Sequence, residues 1–231
     1  MTRPQLVVFD VAGTTVFDGD IVIDAIGDAL KAHGVDVDRT AIRALMGVPK
    51  PVAIRTLLGQ DSRHADDAAQ ARDVHATFLE RVIDRYRHAS GVREMEGAGA
   101  VFAALHARRI KVALDTGFSR PILDVLLARL GWTTPDSIDC SVASDEVAHG
   151  RPAADLIQRA MQLTGVIDPR AVVKVGDTPA DIASGRAAAC GCVVGVSYGT
   201  HSRAELERHG PDAVIDRLPD LVPLVDQYRQ L

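Results

Sequence analysis

Four short stretches of this 231-residue sequence carry residue types suited to handling a phosphoryl group. In VVFDVAGTT (7–15) an apolar run delivers Asp10 to a Gly-Thr-Thr turn, which would fix its carboxylate at a strand tip, able to attack phosphorus or bind a metal. After KVALD come Thr116 and Gly117, a hydroxyl and a glycine amide that can both donate to a phosphoryl oxygen. Gly150-Arg151-Pro152 offers a guanidinium fork matched to phosphate. In VGDTPADIASG (175–185), Pro179 suits a first helical turn and brings Asp181 near Asp177, so that two carboxylates could hold Mg²⁺, a hard cation that prefers oxygen ligands. Each stretch also has a plainer meaning. Asp10 could be a turn former, Ser119 after Thr116-Gly117 a helix N-cap, Arg151 a surface residue before a proline-started helix, and Asp177 or Asp181 a helix cap.

The elements that must position these residues are legible as alternation. LVVFD (6–10), KVALDT (111–116), CSVAS (140–144), AVVKVGD (171–177) and CVVGVS (192–197) read as β-rich apolar runs. RPILDVLLARLG, AADLIQRAMQLTG and PADIASGRAAAC between them have helical period. Alternating strands and helices predict an α/β fold, a doubly wound Rossmann-like parallel sheet with sites at the strand carboxyl ends. Residues 17–90 break that rhythm. IVIDAIGDALKAHG, with Asp20 as N-cap and Gly34 beyond its end, TAIRALMG, PVAIRTLLG and the polar stretch from His64 to His88 all read as helix and none as strand. The expected organisation is a core domain of residues 1–16 and 91–231, with an inserted all-helical domain over 17–90.

Composition narrows the function classes. A net charge of −5, with 26 basic and 31 acidic residues interspersed, supplies no basic stripe for nucleic acid. No apolar run has the length of a membrane span, and the first expected strand begins too early for a signal peptide, so a cytoplasmic location is expected. Cys140, Cys190 and Cys192 lack metal-ligand spacing and read as buried idle thiols.

Acid, Thr-Gly, basic residue and paired acids, all at expected strand ends and in that order, resemble the haloacid dehalogenase superfamily of phosphotransferases and hydrolases. The helical insertion resembles that superfamily's cap. Within it, Asp-x-Ala-Gly-Thr at Asp10 to Thr14, arginine at Arg151 where lysine is commoner, and Met46-Gly47-Val48-Pro49-Lys50 resemble phosphonoacetaldehyde hydrolase and its phosphonatase-like relatives. The resemblance implies Mg²⁺ held by Asp10, the Ala12 carbonyl and Asp177, with Asp181 supporting the site. It implies contacts to a small phosphonate or phosphate from Ala12, Gly13, Met46, Gly117 and Arg151, and a homodimer through the cap.

Ala12 is the informative departure, because phosphatases of this superfamily place there the acid that protonates a leaving alkoxide. Carbon–phosphorus cleavage has no leaving oxygen to protonate, but it needs an electron sink. By the resemblance, Lys50 would supply one as an iminium with a 2-oxo group while Asp10 takes the phosphoryl group. Pro49 and Pro51 bracket Lys50, and Leu45 with Met46 could wall it from water and lower its pKa. A second departure is Ala53, where phosphonatases have a histidine thought to shuttle protons; His149 is a candidate substitute. The alternatives are a Mg²⁺-dependent phosphatase acting on a small phosphate ester, and a non-catalytic binder of phosphorylated metabolites.

Overall fold

All five residues of LVVFD are buried, as only a central strand covered on both faces allows. The structure, a computed structural model, describes residues 3–46, 48–59 and 68–228. Among the described residues the strands are β1 (Leu6–Asp10), β2 (Val16–Phe17), β3 (Arg93–Glu94), β4 (Lys111–Asp115), β5 (Cys140–Val142), β6 (Val172–Gly176), β7 (Cys192–Val196) and β8 (Ala213–Ile215). The helices are α1 (Ile21–Ala32), α2 (Arg39–Arg43), α3 (Lys50–Leu58), α4 (Ala68–His88), α5 (Ala98–Ala107), α6 (Arg120–Leu130), α7 (Asp155–Thr164), α8 (Pro179–Ala187), α9 (Arg203–Glu207) and α10 (Leu221–Tyr228).

Six strands form one sheet in the order β5-β4-β1-β6-β7-β8, and each neighbouring pair is parallel. The two-residue period of a strand divides β1 between two cores: Val7 and Phe9 enter one apolar cluster, Leu6 and Val8 the other. The sheet is therefore covered on both faces, the doubly wound α/β fold that the alternation predicts. The chain runs outward from β1 in both directions, so the carboxyl end of β1 is a topological switch point, where such sheets bind ligands.

Between β2 and β3 the described elements are the helices α1 to α4. The buried residues of α4, namely Ala71, Val74, Phe78, Val82 and Tyr86, recur every three or four positions and form one stripe, which packs against α1, α3 and α6. Residues 60–67, in the run from α3 to α4, and Gly47 lie outside the described residues.

Several details differ from the sequence expectation. Phe17 belongs to a strand, because β2 pairs antiparallel with β3 (Val16↔Glu94, Phe17↔Arg93) and ties the two ends of the helical stretch together. β2, β3 and β8 have at most three residues each, too few to show an alternation. Asp20 stands at the N-cap of α1, but its carboxylate pairs with Arg39 and Arg43 rather than capping the helix. Ser119 makes no side-chain cap either, and the Asp145 carboxylate accepts from the Arg120 amide instead. Pro152 lies in a turn and α7 begins only at Asp155. All three cysteines are buried, and burial pushes Cys140 and Cys190 up to about 11 and about 12, which makes those two the inert thiols expected. Among the described residues no helix is long and apolar enough to cross a membrane.

Candidate active site

Parallel strands end on the same side, and that geometry brings the four stretches together. Asp10 closes β1, Thr116 and Gly117 follow β4, and Asp177 follows β6. Asp10, Ala12, Gly13, Met46, Lys50, Thr116, Gly117 and Arg151 all line one cavity of about 310 Å³, within the range of small-molecule sites.

The floor of this cavity is an ion network with almost no exposure to water. Arg151 donates from one terminal nitrogen to Asp10 Oδ1 (2.5 Å) and to Asp115 Oδ1 (3.0 Å) and its carbonyl (2.9 Å). Its other terminal nitrogen lies 2.8 Å from Asp181 Oδ1. Lys174, fully buried in β6, sits 2.5 Å from Asp115 Oδ1 and 3.1 Å from Asp181 Oδ1. The surface reading of Arg151 is thereby excluded. Burial opposes its charge, but the carboxylates of Asp10, Asp115 and Asp181 hold it protonated.

Asp181 is a helix cap, as its plainer reading has it, and also faces the ion network. Its Oδ2 accepts from the Thr178 hydroxyl and amide, and Thr178 in return caps the Asp181 amide, a reciprocal box that starts α8. Asp177 accepts from the Thr14 hydroxyl (3.2 Å) and the Thr200 amide (2.7 Å). The amide of Gly13 is spent on the Val16 carbonyl, so its contribution is conformational. With φ at +86° it occupies the left-handed region, and a Cβ there would overlap the Asp177 carboxylate.

Asp10, Asp177 and Asp181 each offer a carboxylate oxygen, and these lie within 4.8 Å of one another. Burial raises the pKa of Asp10; Arg151 lowers it, and Asp181 and Asp177 raise it further. Asp177 is likewise raised by burial and by Asp181. A buried group of acids that repel one another is a donor set a divalent cation would satisfy, and all-oxygen ligation fits Mg²⁺. Asp181 is already engaged by Arg151, Lys174 and Thr178, which suits a supporting place.

The roof mixes apolar walls with Asp18, Asp20, Arg43 and Lys50. Lys50 opens α3 between Pro49 and Pro51 and is only 5% exposed. Its Nζ lies 5.8 Å from the Phe118 ring centroid and 3.5 Å from the Val48 carbonyl, and among the described residues it makes no ion pair. Burial lowers its pKa to about 8, with Asp10 opposing and Arg151 assisting. Pro49 packs on the loop that carries Arg151: a Cβ on Gly150 would come within 2.9 Å of its Cγ. This contact seats the lysine turn on the floor. Met46 joins the cavity wall as expected, but the ring closest to the amine belongs to Phe118. His149 fails as a stand-in proton carrier, since its side chain is 77% exposed and turned to Asp155.

Among the residues of the site that the sequence does not single out are Asp115, Lys174, Asp18, Tyr86 and Phe118. Lys174 did leave a signal, because a lysine inside an apolar central strand must find a counter-charge or pay heavily for burial.

A family model described as haloacid dehalogenase-like hydrolase matches residues 4–189. The chain belongs to this family of hydrolases. Phosphonoacetaldehyde hydrolase of Latilactobacillus sakei is 30% identical to the hydrolase over 197 residues, covering 80% of this chain and 73% of its own. The Dickeya dadantii protein named "Probable phosphatase IndB" is 28% identical over 219 residues, covering 94% and 91%. In structure, the hydrolase superposes on a phosphonoacetaldehyde hydrolase like protein from Oleispira antarctica with a TM-score of 0.86 at 22% identity, covering 99% of this chain and 94% of the other.

Proposed function

We propose that the protein is a Mg²⁺-dependent, phosphonatase-like hydrolase that cleaves the carbon–phosphorus bond of phosphonoacetaldehyde or a related 2-oxoalkylphosphonate. Residues 17–90 would act as the cap of this site. The observation that carries the reading is the state of Lys50: a buried amine, with its pKa lowered to about 8, lining the same cavity as Asp10. At pH 7 about one such amine in ten is neutral, against about one in 3,000 for an ordinary lysine. Ala12 and the lysine then have one explanation, since an iminium replaces the acid that a phosphate ester would need.

In this reading the Lys50 nitrogen condenses with the 2-oxo group, and water leaves. An Asp10 oxygen attacks phosphorus while the electrons of the carbon–phosphorus bond move toward the iminium, leaving an enamine on Lys50 and an aspartyl phosphate on Asp10. Water hydrolyses each to release the carbonyl product and phosphate. Thr116, Gly117 and Arg151 orient the phosphoryl oxygens, and Arg151 offsets their charge. Mg²⁺, held by Asp10, Asp177 and the Ala12 carbonyl, would supply Lewis-acid stabilisation of the transferring group.

One observation favours a phosphate-ester substrate instead. Asp18 also lines the cavity, and burial pushes its carboxyl up to about 6, so it could protonate a leaving alkoxide in place of the residue at position 12. Phosphate release from phosphonoacetaldehyde, measured beside a phosphate-ester panel, separates the two. Lys50→Arg keeps a cation that cannot form an imine. It should cut C–P cleavage by about 10³-fold or more. Rapid ester hydrolysis untouched by Lys50→Arg would establish the phosphatase instead.

A further inference from the structure

If Lys50 forms an imine, protons must leave its nitrogen and reach the departing oxygen, yet Ala53 supplies no titratable group and His149 faces outward. Among the described acids in and around the cavity, Asp18 is the one that neither the floor network nor a surface ion pair engages. Asp10 and Asp181 are held by Arg151, Asp177 by Thr14 and Thr200, and Asp20 by Arg39 and Arg43. Asp18 follows β2, and its Oδ2 accepts a 2.5 Å hydrogen bond from the hydroxyl of Tyr86. Tyr86 is fully buried and packs edge-on against Phe118 at 5.9 Å, the same ring that lies beneath the Lys50 amine. Acid, phenol, ring and amine thus form one packed chain, with Phe118, which follows β4, joining Tyr86 to Lys50.

We propose that Asp18, held in place by Tyr86, is the group that transfers protons for Lys50 as its imine forms and breaks. This inference rests on the C–P cleavage reading above. The Lys50 nitrogen lone pair adds to the carbonyl carbon and the π pair moves to oxygen. The Asp18 carboxylate takes a proton from the nitrogen, and solvent supplies one to the oxyanion. The acid form of Asp18 then gives its proton to the hydroxyl, which departs as water while the nitrogen lone pair closes the iminium. Asp18 ends as the carboxylate it began as, and the only net consumption is the solvent proton, as imine formation requires.

The groups felt by Asp18 come from three directions: Tyr86 on α4, Asp177 after β6 and Lys50 on α3. Burial raises its pKa to about 6, the Tyr86 hydrogen bond lowers it, Asp177 raises it and Lys50 lowers it. At neutral pH Asp18 is therefore mainly the base that the first transfer needs, and its conjugate acid is strong enough to expel hydroxide as water.

The test is the rate at which cyanoborohydride traps phosphonoacetaldehyde on Lys50, followed by intact-protein and peptide mass spectrometry from pH 5 to 9. The wild-type rate should rise with pH through two limbs, one near 6 and one near 8. Asp18→Asn should trap about a hundredfold more slowly at pH 7, reach the same final stoichiometry and lack the limb near 6. Tyr86→Phe should retain that limb but move it upward, because the hydrogen bond that lowers the Asp18 pKa is gone. An Asp18→Asn protein that traps at the wild-type rate with both limbs intact overturns the role of Asp18 and leaves the lysine reading standing. Wild-type protein that yields no Lys50 adduct sinks both. Should Asp18→Asn fail to fold, Tyr86→Phe decides, since a limb that does not move overturns the proposal.

Discussion

The floor and the roof of the cavity solve opposite problems. On the floor, Arg151 and Lys174 are tied at 2.5–3.1 Å to Asp10, Asp115 and Asp181, so buried charges are compensated and fixed. On the roof, Lys50 is buried with no ion pair among the described residues, and Asp18 is steadied by one hydroxyl. Pairing with three carboxylates holds Arg151 charged, whereas burial without an ion pair favours the neutral Lys50 amine. The raised pKa values of Asp10 and Asp177 are what a divalent cation on the floor would offset. A fixed carboxylate with a poised amine above it is the division of labour that the proposed reaction needs. The sharpest way to break this comparison is to disable one region and assay the other. Asp10→Asn, or removal of divalent metal with a chelator, should lower phosphate release from phosphonoacetaldehyde by about 10³-fold or more. Lys50 trapping should survive Asp10→Asn and run slightly faster, because Asp10 raises the Lys50 pKa and its loss frees more neutral amine. Loss of trapping in that variant would show that floor and roof do not act separately.

Stability offers a second contrast. Lys174→Met leaves Asp115 and Asp181 buried without one of their two cations, a class of change that costs about 3–5 kcal/mol. Tyr86→Phe removes one hydrogen bond on the cap side and should cost about 1 kcal/mol. Urea unfolding of both variants measures the difference; equal costs would mean that the floor network is worth no more than a single hydroxyl.

That difference also explains what was readable in the sequence. Asp10, Thr116, Arg151, Asp177 and Asp181 stand at or just beyond apolar runs or at turn signals, and parallel strands carry chemistry at their ends, so local pattern singles them out, while their order and the family resemblance are what group them into one site. Asp115 and Lys174 escaped because each was counted as part of a strand, although a lysine among valines in VVKVG required a buried counter-charge. Lys50 stood out only through its motif and its flanking prolines. Asp18 and Tyr86 are 68 residues apart and meet because the stripe of α4 turns Tyr86 inward, a contact that no local spacing encodes. The β2–β3 pair was hidden for the same reason, since two residues per strand cannot display a period.

The smallest expected effect concerns the wall that keeps the amine neutral. The sequence pointed to Leu45 and Met46, but the ring found beneath Lys50 belongs to Phe118, placed just after the Thr116-Gly117 turn that also serves the floor. Truncation by Phe118→Ala would open space at Nζ and admit water, which favours the ammonium form and moves the Lys50 pKa from about 8 back toward its ordinary value. Each unit of that return reduces the neutral fraction at pH 7 by about tenfold, and the upper limb of the trapping profile should shift upward by the same amount. Met46→Ala, which leaves the Phe118 ring in place, should shift it less. If Met46→Ala proved the larger of the two, the apolar wall would belong to the helical insertion alone, and the floor and roof would be joined by Pro49 on Gly150 rather than through Phe118.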